Sequence, residues 1–158
     1  MIIKNKSNFN AGFSLIEILV FVTIFGLFFV LAIAVTTASL RNMKVTERRI
    51  YAVRYAEEMI EWLRSEKEAS WADFVTHTGT FCFNKVLGNN WSLSAPTTGL
   101  CPTYTGIGSL PPVIFKRDVV VSSSGSPVTQ IIVKVTVSWQ ETNGVEKVEQ
   151  NARFSIWE

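Results

Sequence analysis

From residue 18 to residue 40 the chain runs 23 residues without a charged side chain. A bilayer core needs roughly 20 helical residues, so this run is long enough to span one. The pattern changes at Arg41. Residues 41–68 hold thirteen ionisable side chains, seven basic and six acidic. Their apolar positions keep to one stripe: Val45, Ala52, Ala56, Met59, Ile60 and Leu63 recur at helical spacing. Neither Gly nor Pro occurs between Leu27 and Thr78. The pattern predicts one helix from Phe13 to about Lys67, about 80 Å long at 1.5 Å per residue. Its first half is apolar all round and its second half is amphipathic. The face opposite the stripe carries Arg48, Glu58 and Glu61 and is expected to be solvated.

Residues 69–112 have the opposite character. They are rich in Gly, Ser, Thr, Asn and Pro, with Asp73 and Lys85 as their only charges. They predict a long connection with about one short turn of helix or strand, of the kind that is usually functional or tied down. Beyond it the period becomes two. A strand is predicted over 113–121 and a turn over 122–127. Ile131, Val133, Val135, Val137 and Trp139 alternate with polar positions, and Val148, Gln150, Ala152, Phe154 and Ile156 alternate again. Glu141-Thr142-Asn143-Gly144 lies between the two runs, and Asn-Gly between alternating strands is a strong hairpin signal. The expected fold is α+β: a long N-terminal helix with one face packed on a small C-terminal antiparallel sheet (113–158) of at least three strands.

Composition narrows the function. Of 158 residues, 47% are hydrophobic and 18% charged, with mean hydropathy +0.24, the reverse of a disordered chain. A net charge of +2 without a basic, aromatic-interleaved patch indicates no nucleic-acid partner. The apolar run is too long for a secretory signal core of about 7–15 residues, and a chain this small could not enclose it as a core helix. Catalysis is not expected. The one histidine, His77, has no nucleophile beside it in sequence, and no Gly-rich phosphate loop is present. No cofactor is called for. Asp73, Asp118 and the scattered glutamates do not form a calcium loop.

Glu17 is the one ionisable side chain between Phe13 and Leu40. A charge at the bilayer centre costs on the order of 2.5–3.5 kcal/mol on insertion scales, and less near the edge. Such a carboxylate needs a cation, and helical spacing offers none. A chain terminus, another subunit or a lipid headgroup must supply it.

Gly12-Phe13-Ser14-Leu15-Ile16-Glu17, preceded by Lys4 and Lys6 and followed by the apolar run, resembles the cleavage and methylation motif of type IV prepilins and pseudopilins. The resemblance covers residues 1 to about 40. It implies a leader at 1–12, a transmembrane and filament-core helix at 13–40, and a globular domain at 41–158. It also implies cleavage between Gly12 and Phe13 by a prepilin peptidase, and N-methylation of Phe13. Glu17 would be an assembly residue, pairing with the Phe13 amine of a neighbouring subunit. The implied partners are other pilin subunits, the peptidase, an inner-membrane assembly platform and membrane lipid. The implied location is the inner membrane, single-pass, with the C-terminal domain outside the cytoplasm, and then a pilus or pseudopilus. Arg48, Arg49 and Arg54 would then face acidic groups of neighbouring subunits.

Glycine at 12 suits a cut site because it lets a protease approach the backbone. Loss of the leader would leave thirteen basic and thirteen acidic side chains, a neutral subunit. The helix-bending proline of many major pilins is missing, with Ala34 near its place and Gly26 as the one weak point. Arg41, Lys44, Arg48 and Arg49 after the span outnumber Lys4 and Lys6 before it, so orientation rests on the resemblance and not on charge. The Val-x-Val-x-Trp run before a Gly turn looks more like minor pilins and pseudopilins than major subunits. A type II secretion pseudopilin or a competence pilin shares the same scaffold. A membrane-anchored binding domain that never polymerises is the reading from another class.

Cys82 and Cys101 are the only cysteines. In an extracytoplasmic domain an isolated pair favours a disulfide, worth roughly 3 kcal/mol in the chain-entropy model. With His77 they offer only three soft ligands and no close Cys-x-x-Cys pair, so no metal is expected.

Overall fold

The computed structural model describes residues 14–104, 107, 115–141 and 144–156. Gly12 and Phe13, the expected cleavage and methylation positions, lie outside them, as do Thr142 and Asn143 of the expected turn.

One helix, α1, runs unbroken over Leu15–Ala69. It passes through Gly26 without interruption, and an added Cβ there would meet nothing within 4 Å. The chain divides into two compact units, Met1–Lys44 and Val45–Glu158. In the first, every described side chain is exposed. In the second, α1 buries Ala52, Ala56, Met59 and Leu63 completely. These are four of the six positions in the expected stripe. Ile60 is partly buried, and Val45 is 38% exposed, so the covered face begins about two turns later than the apolar pattern does.

Two short helices follow, α2 (Trp71–Phe74) and α3 (Trp91–Ser94). Ser70 and Asn90 cap them, their side-chain oxygens accepting from the N–H groups of Asp73 and Leu93. The sheet contains β1 (Gly79–Cys82), β2 (Thr97–Thr98), β3 (Phe115–Ser124), β4 (Gln130–Glu141) and β5 (Gly144–Ser155). All neighbours are antiparallel, in the order β2-β1-β3-β4-β5.

Residues 69–112 therefore differ from the expected loop. Among the described residues they hold two helical turns and two strands. The alternation in β1 spans only four residues and β2 only two, too short for periodicity to register. Strand β3 likewise continues through Ser122–Ser124, which the sequence assigned to a turn. Those serines pair with Ile132, Ile131 and Gln130 of β4. The turn itself holds Gly125 at φ +99°, where an added Cβ would lie 2.8 Å from the Pro127 carbonyl oxygen.

The alternation in β4 fixes the core. Ile131, Val133, Val135, Val137 and Trp139 all face inward with 2% exposure or less. They join the buried face of α1, with Phe74, Phe83, Phe115, Val119, Val121 and Phe154. Burying each such aliphatic side chain contributes about 1.5–3 kcal/mol.

Candidate functional site

The first candidate element is the exposed stretch of α1. Glu17 sits in its first turn, its N–H bonded to the Ser14 carbonyl at 3.0 Å. It is the one charged side chain among the described residues up to Leu40. Behind it, Phe21 stacks on Phe25 at 5.5 Å between ring centroids, and Phe25 meets Phe29 edge-on at 4.7 Å. The hydroxyls of Thr23, Thr36 and Thr37 donate back to helix carbonyls at 2.8–3.0 Å. Every polar group between Glu17 and Ser39 is thus a helix backbone group or a hydroxyl turned onto the helix. That is the condition for a segment placed in hydrocarbon. This is one helix long and apolar enough to cross a membrane.

The second element is the set of ties that holds the 45–69 part of α1 to the sheet. At its centre is Arg117 on β3, with no exposed surface. Its Nε donates to the Phe83 carbonyl at 3.3 Å, and its Nη2 to the Lys85 carbonyl at 3.4 Å. Its Nη1 donates at 3.1 Å both to the Tyr55 carbonyl of α1 and to Glu58 Oε2. One side chain thus joins helix, sheet and the 83–85 connection. Burial pushes the guanidinium pKa below its ordinary value, and the adjacent Glu58 carboxylate opposes that shift. The Tyr55 phenol is pushed up, by burial first and by Glu58 second.

Two charges expected on the solvated face are therefore engaged. Glu58 is half-exposed but pairs with Arg117. Arg48 meets Glu141 of its own chain at 2.7 Å. Glu141 also accepts from Trp139 Nε1 at 3.0 Å. The reason is one of reach. Glu141 ends β4 beside the helix, and its carboxylate bridges the indole and the guanidinium. Arg49 and Arg54 both line an open groove along α1 with Thr46, Ile50, Val53 and Glu57.

The Arg117 site was missed in sequence because an arginine reads as a surface residue. A signal was present nonetheless: Phe115, Arg117, Val119 and Val121 share one alternation, so the inward face includes the arginine.

Cys82 and Cys101 form a disulfide. It joins β1 to the segment after β2, and Asp118 on β3 reinforces it by accepting the Cys101 N–H at 2.6 Å. Asp118 and both cysteines are buried close together, but the two sulfurs are bonded to each other and offer no thiolate. His77 lies elsewhere, stacked on Trp91 with ring centroids 4.2 Å apart. Trp91 in turn contacts Trp62, Phe81 and Phe83, and its N–H donates to Glu66 at 2.9 Å. Trp62 Nε1 donates to the Gly88 carbonyl at 2.7 Å. Gly88 has no room for a Cβ, which would fall 2.7 Å from Leu93 Cβ. The connection is thus tied down by aromatic packing, by hydrogen bonds from α1 and by one covalent bond.

Comparison with protein-family models, with curated proteins and with solved structures finds no match.

Proposed function

We propose that this chain is a structural, non-enzymatic subunit of a type IV pilus or related filament, of the minor pilin or pseudopilin kind. The observation that carries the reading is the continuity of α1. A charge-free, exposed stretch with Glu17 at its head runs without a break into a helix whose face is packed on a sheet. Such a rod needs an apolar surrounding on one stretch and supplies its own on the other. Lipid meets that need for a monomer, and the helices of other subunits meet it in a filament core. The motif at residues 12–17 and the basic leader support the same reading. In it the protein is made as a prepilin, cut by a prepilin peptidase before Phe13 and methylated there. It waits in the inner membrane with its sheet domain outside the cytoplasm. The assembly platform then draws it into the filament.

Glu17 would set the register by pairing with the Phe13 amine of a neighbouring subunit. Removing one member of a buried pair typically costs about 3–5 kcal/mol, because the other charge is left unpaired. The test is the N-terminal mass of protein extracted from membranes and from filaments. A chain beginning at N-methylated Phe13 is expected, with Glu17→Gln cleaved normally yet poorly incorporated. An intact leader on filament protein would overturn the proposal. An intact leader together with indifference to Glu17→Gln would favour a membrane-anchored domain that does not polymerise.

A further inference from the structure

Helix α1 carries a second pattern besides the stripe packed on the sheet. Thr46, Ile50, Val53 and Glu57 recur at steps of four, three and four, the spacing of a coiled-coil seam. They lie about a third of a turn around the helix from the buried Ala52, Ala56, Met59 and Leu63. The seam forms an open groove of about 400 Å³, with Arg49 on one flank and Arg54 on the other. Ile50 is 53% exposed and Val53 half-buried. Among the described residues no other element lines this groove.

The flanking cations are unmatched. Arg48 is held by Glu141, and Arg64 by Glu61. Arg49 and Arg54 form no ion pair or hydrogen bond among the described residues. Glu57, the one carboxylate of the groove, stands at the end of the seam and pairs with neither. In a parallel coiled coil, the charged positions that meet across the seam are five residues apart, as Arg49 and Arg54 are. A second copy laid parallel and in register would set Arg49 of each helix against Arg54 of the other, two contacts of like charge. A helix with carboxylates at the flanking positions sets an opposite charge there instead. An antiparallel copy is excluded where both copies enter one bilayer through the same end of α1, and that step alone rests on the function proposed above.

We propose that the 46–57 seam of α1 receives a helix of a different protein chain, apolar along its own seam and bearing carboxylates on the flanks. Ile50 and Val53 supply the apolar contact, and Arg49 and Arg54 supply the choice of partner. Every residue involved lies in the Val45–Glu158 unit, so binding at the seam can be measured apart from cleavage and polymerisation.

The test uses the full chain in detergent micelles and three labelled helical peptides. The first has an Ile and Leu seam with Glu at both flanking positions. The second has the same seam with Lys there, and the third keeps the Glu flanks but has Ser along the seam. The first is expected to bind on the order of tenfold more tightly than the second, as two exposed contacts turn from repulsion to attraction. The third should not bind. Arg49→Glu and Arg54→Glu should each weaken the first peptide and strengthen the second. Ile50→Asp should abolish binding of both, and Lys85→Glu should change neither. Occupancy by a second copy is read separately. The described residues hold no free cysteine, so Ile50→Cys places a single thiol in the seam. Under oxidation it is expected to link to the first peptide carrying one seam cysteine, and not to another copy. The proposal is overturned by absence of binding, by equal binding of the Glu and Lys peptides, by full binding of the Ser peptide, or by a copy-to-copy link as the main product.

Discussion

Residues 15–44 and residues 45–69 belong to the same helix and have opposite surroundings. In the first stretch Leu15 is 87% exposed and Val35 70%, while in the second Ala52, Ala56, Met59 and Leu63 are wholly covered. Backbone hydrogen bonding is helical throughout, so the difference lies in the side chains. The first stretch is apolar on every face and offers no preferred side to a protein partner. It calls for an isotropic apolar solvent, which lipid or a bundle of like helices provides. The second is apolar on one stripe, and the inward face of the sheet covers it. Hydrophobicity alone would have grouped them; the arrangement of the apolar positions separates them.

The comparison predicts that the two stretches fail separately. Arg117→Met should have the largest effect. The Phe83 and Lys85 carbonyls lose their donor, the Tyr55 carbonyl loses its second, and unsatisfied buried acceptors cost about 1–3 kcal/mol each. A loss of about 3–5 kcal/mol is expected for the sheet-held unit, with membrane insertion unchanged. Thermal unfolding in micelles, followed by Trp fluorescence, measures the first, and carbonate extraction of membranes measures the second. Arg117→Lys should rescue little, because an ammonium cannot reach the carbonyls and Glu58 from one fork. Loss of membrane insertion in either variant would break the separation.

A matched pair of truncations sharpens it. Leu63→Ala removes a wholly buried side chain from the core and should cost about 2–5 kcal/mol. Leu27→Ala removes one that is 66% exposed, and the same melt should move by less than about 0.5 kcal/mol. Equal effects would mean that the apolar stretch also packs on the sheet domain.

The separation shows which parts of the fold could be read in advance. The unbroken helix, the inward alternation at Ile131, Val133, Val135, Val137 and Trp139, and the Cys82–Cys101 bridge were legible, because each rests on a period or a count. Strands β1 and β2 were not, since four residues and two residues carry no period. Their place is set by pairing with Val119, Val120 and Val121 and by the disulfide, contacts distant in sequence. The engaged charges were illegible for a related reason. Nothing local tells Arg117 from a surface arginine until its strand's alternation is weighed against its neighbours. Nothing local tells Arg48 that Glu141, ninety-three positions later, lies within reach. Glu17 at the head of a charge-free apolar helix was readable too, from the distribution of charges along the chain.

Glu141 offers a smaller test at the boundary between the stretches. Its carboxylate holds Arg48 and the Trp139 indole. Glu141→Gln weakens the ion pair but keeps an acceptor for the indole, so about 1 kcal/mol is expected for a pair that is partly exposed. The local consequence is sharper than the global one. Amide exchange should quicken over residues 45–51 and stay unchanged over 52–63, where the core and not the ion pair holds the helix. Uniform quickening would mean that Arg48 supports the entire packed stretch.

The smallest effect is one of pH, and it belongs to the sheet alone. On the outer face of β4 and β5, Glu149 accepts from Lys147 at 2.8 Å and meets Lys134 at 2.9 Å. Hydrogen bonds from those ammonium groups, Lys147 first, hold its pKa below the ordinary glutamate value. A carboxylate whose folded pKa is depressed releases its proton more readily in the folded state than in the unfolded state. Its stabilisation is therefore complete above the unfolded pKa and is lost as pH falls through the folded one. Mild acidification below the usual glutamate range should lower the melting temperature of the Val45–Glu158 unit slightly, and high salt should reduce the slope by screening this surface network. Glu149→Gln should flatten that part of the profile, while the helical signal of residues 15–44 shows no matching change. An acid slope that survives Glu149→Gln unaltered would overturn the assignment to this surface network.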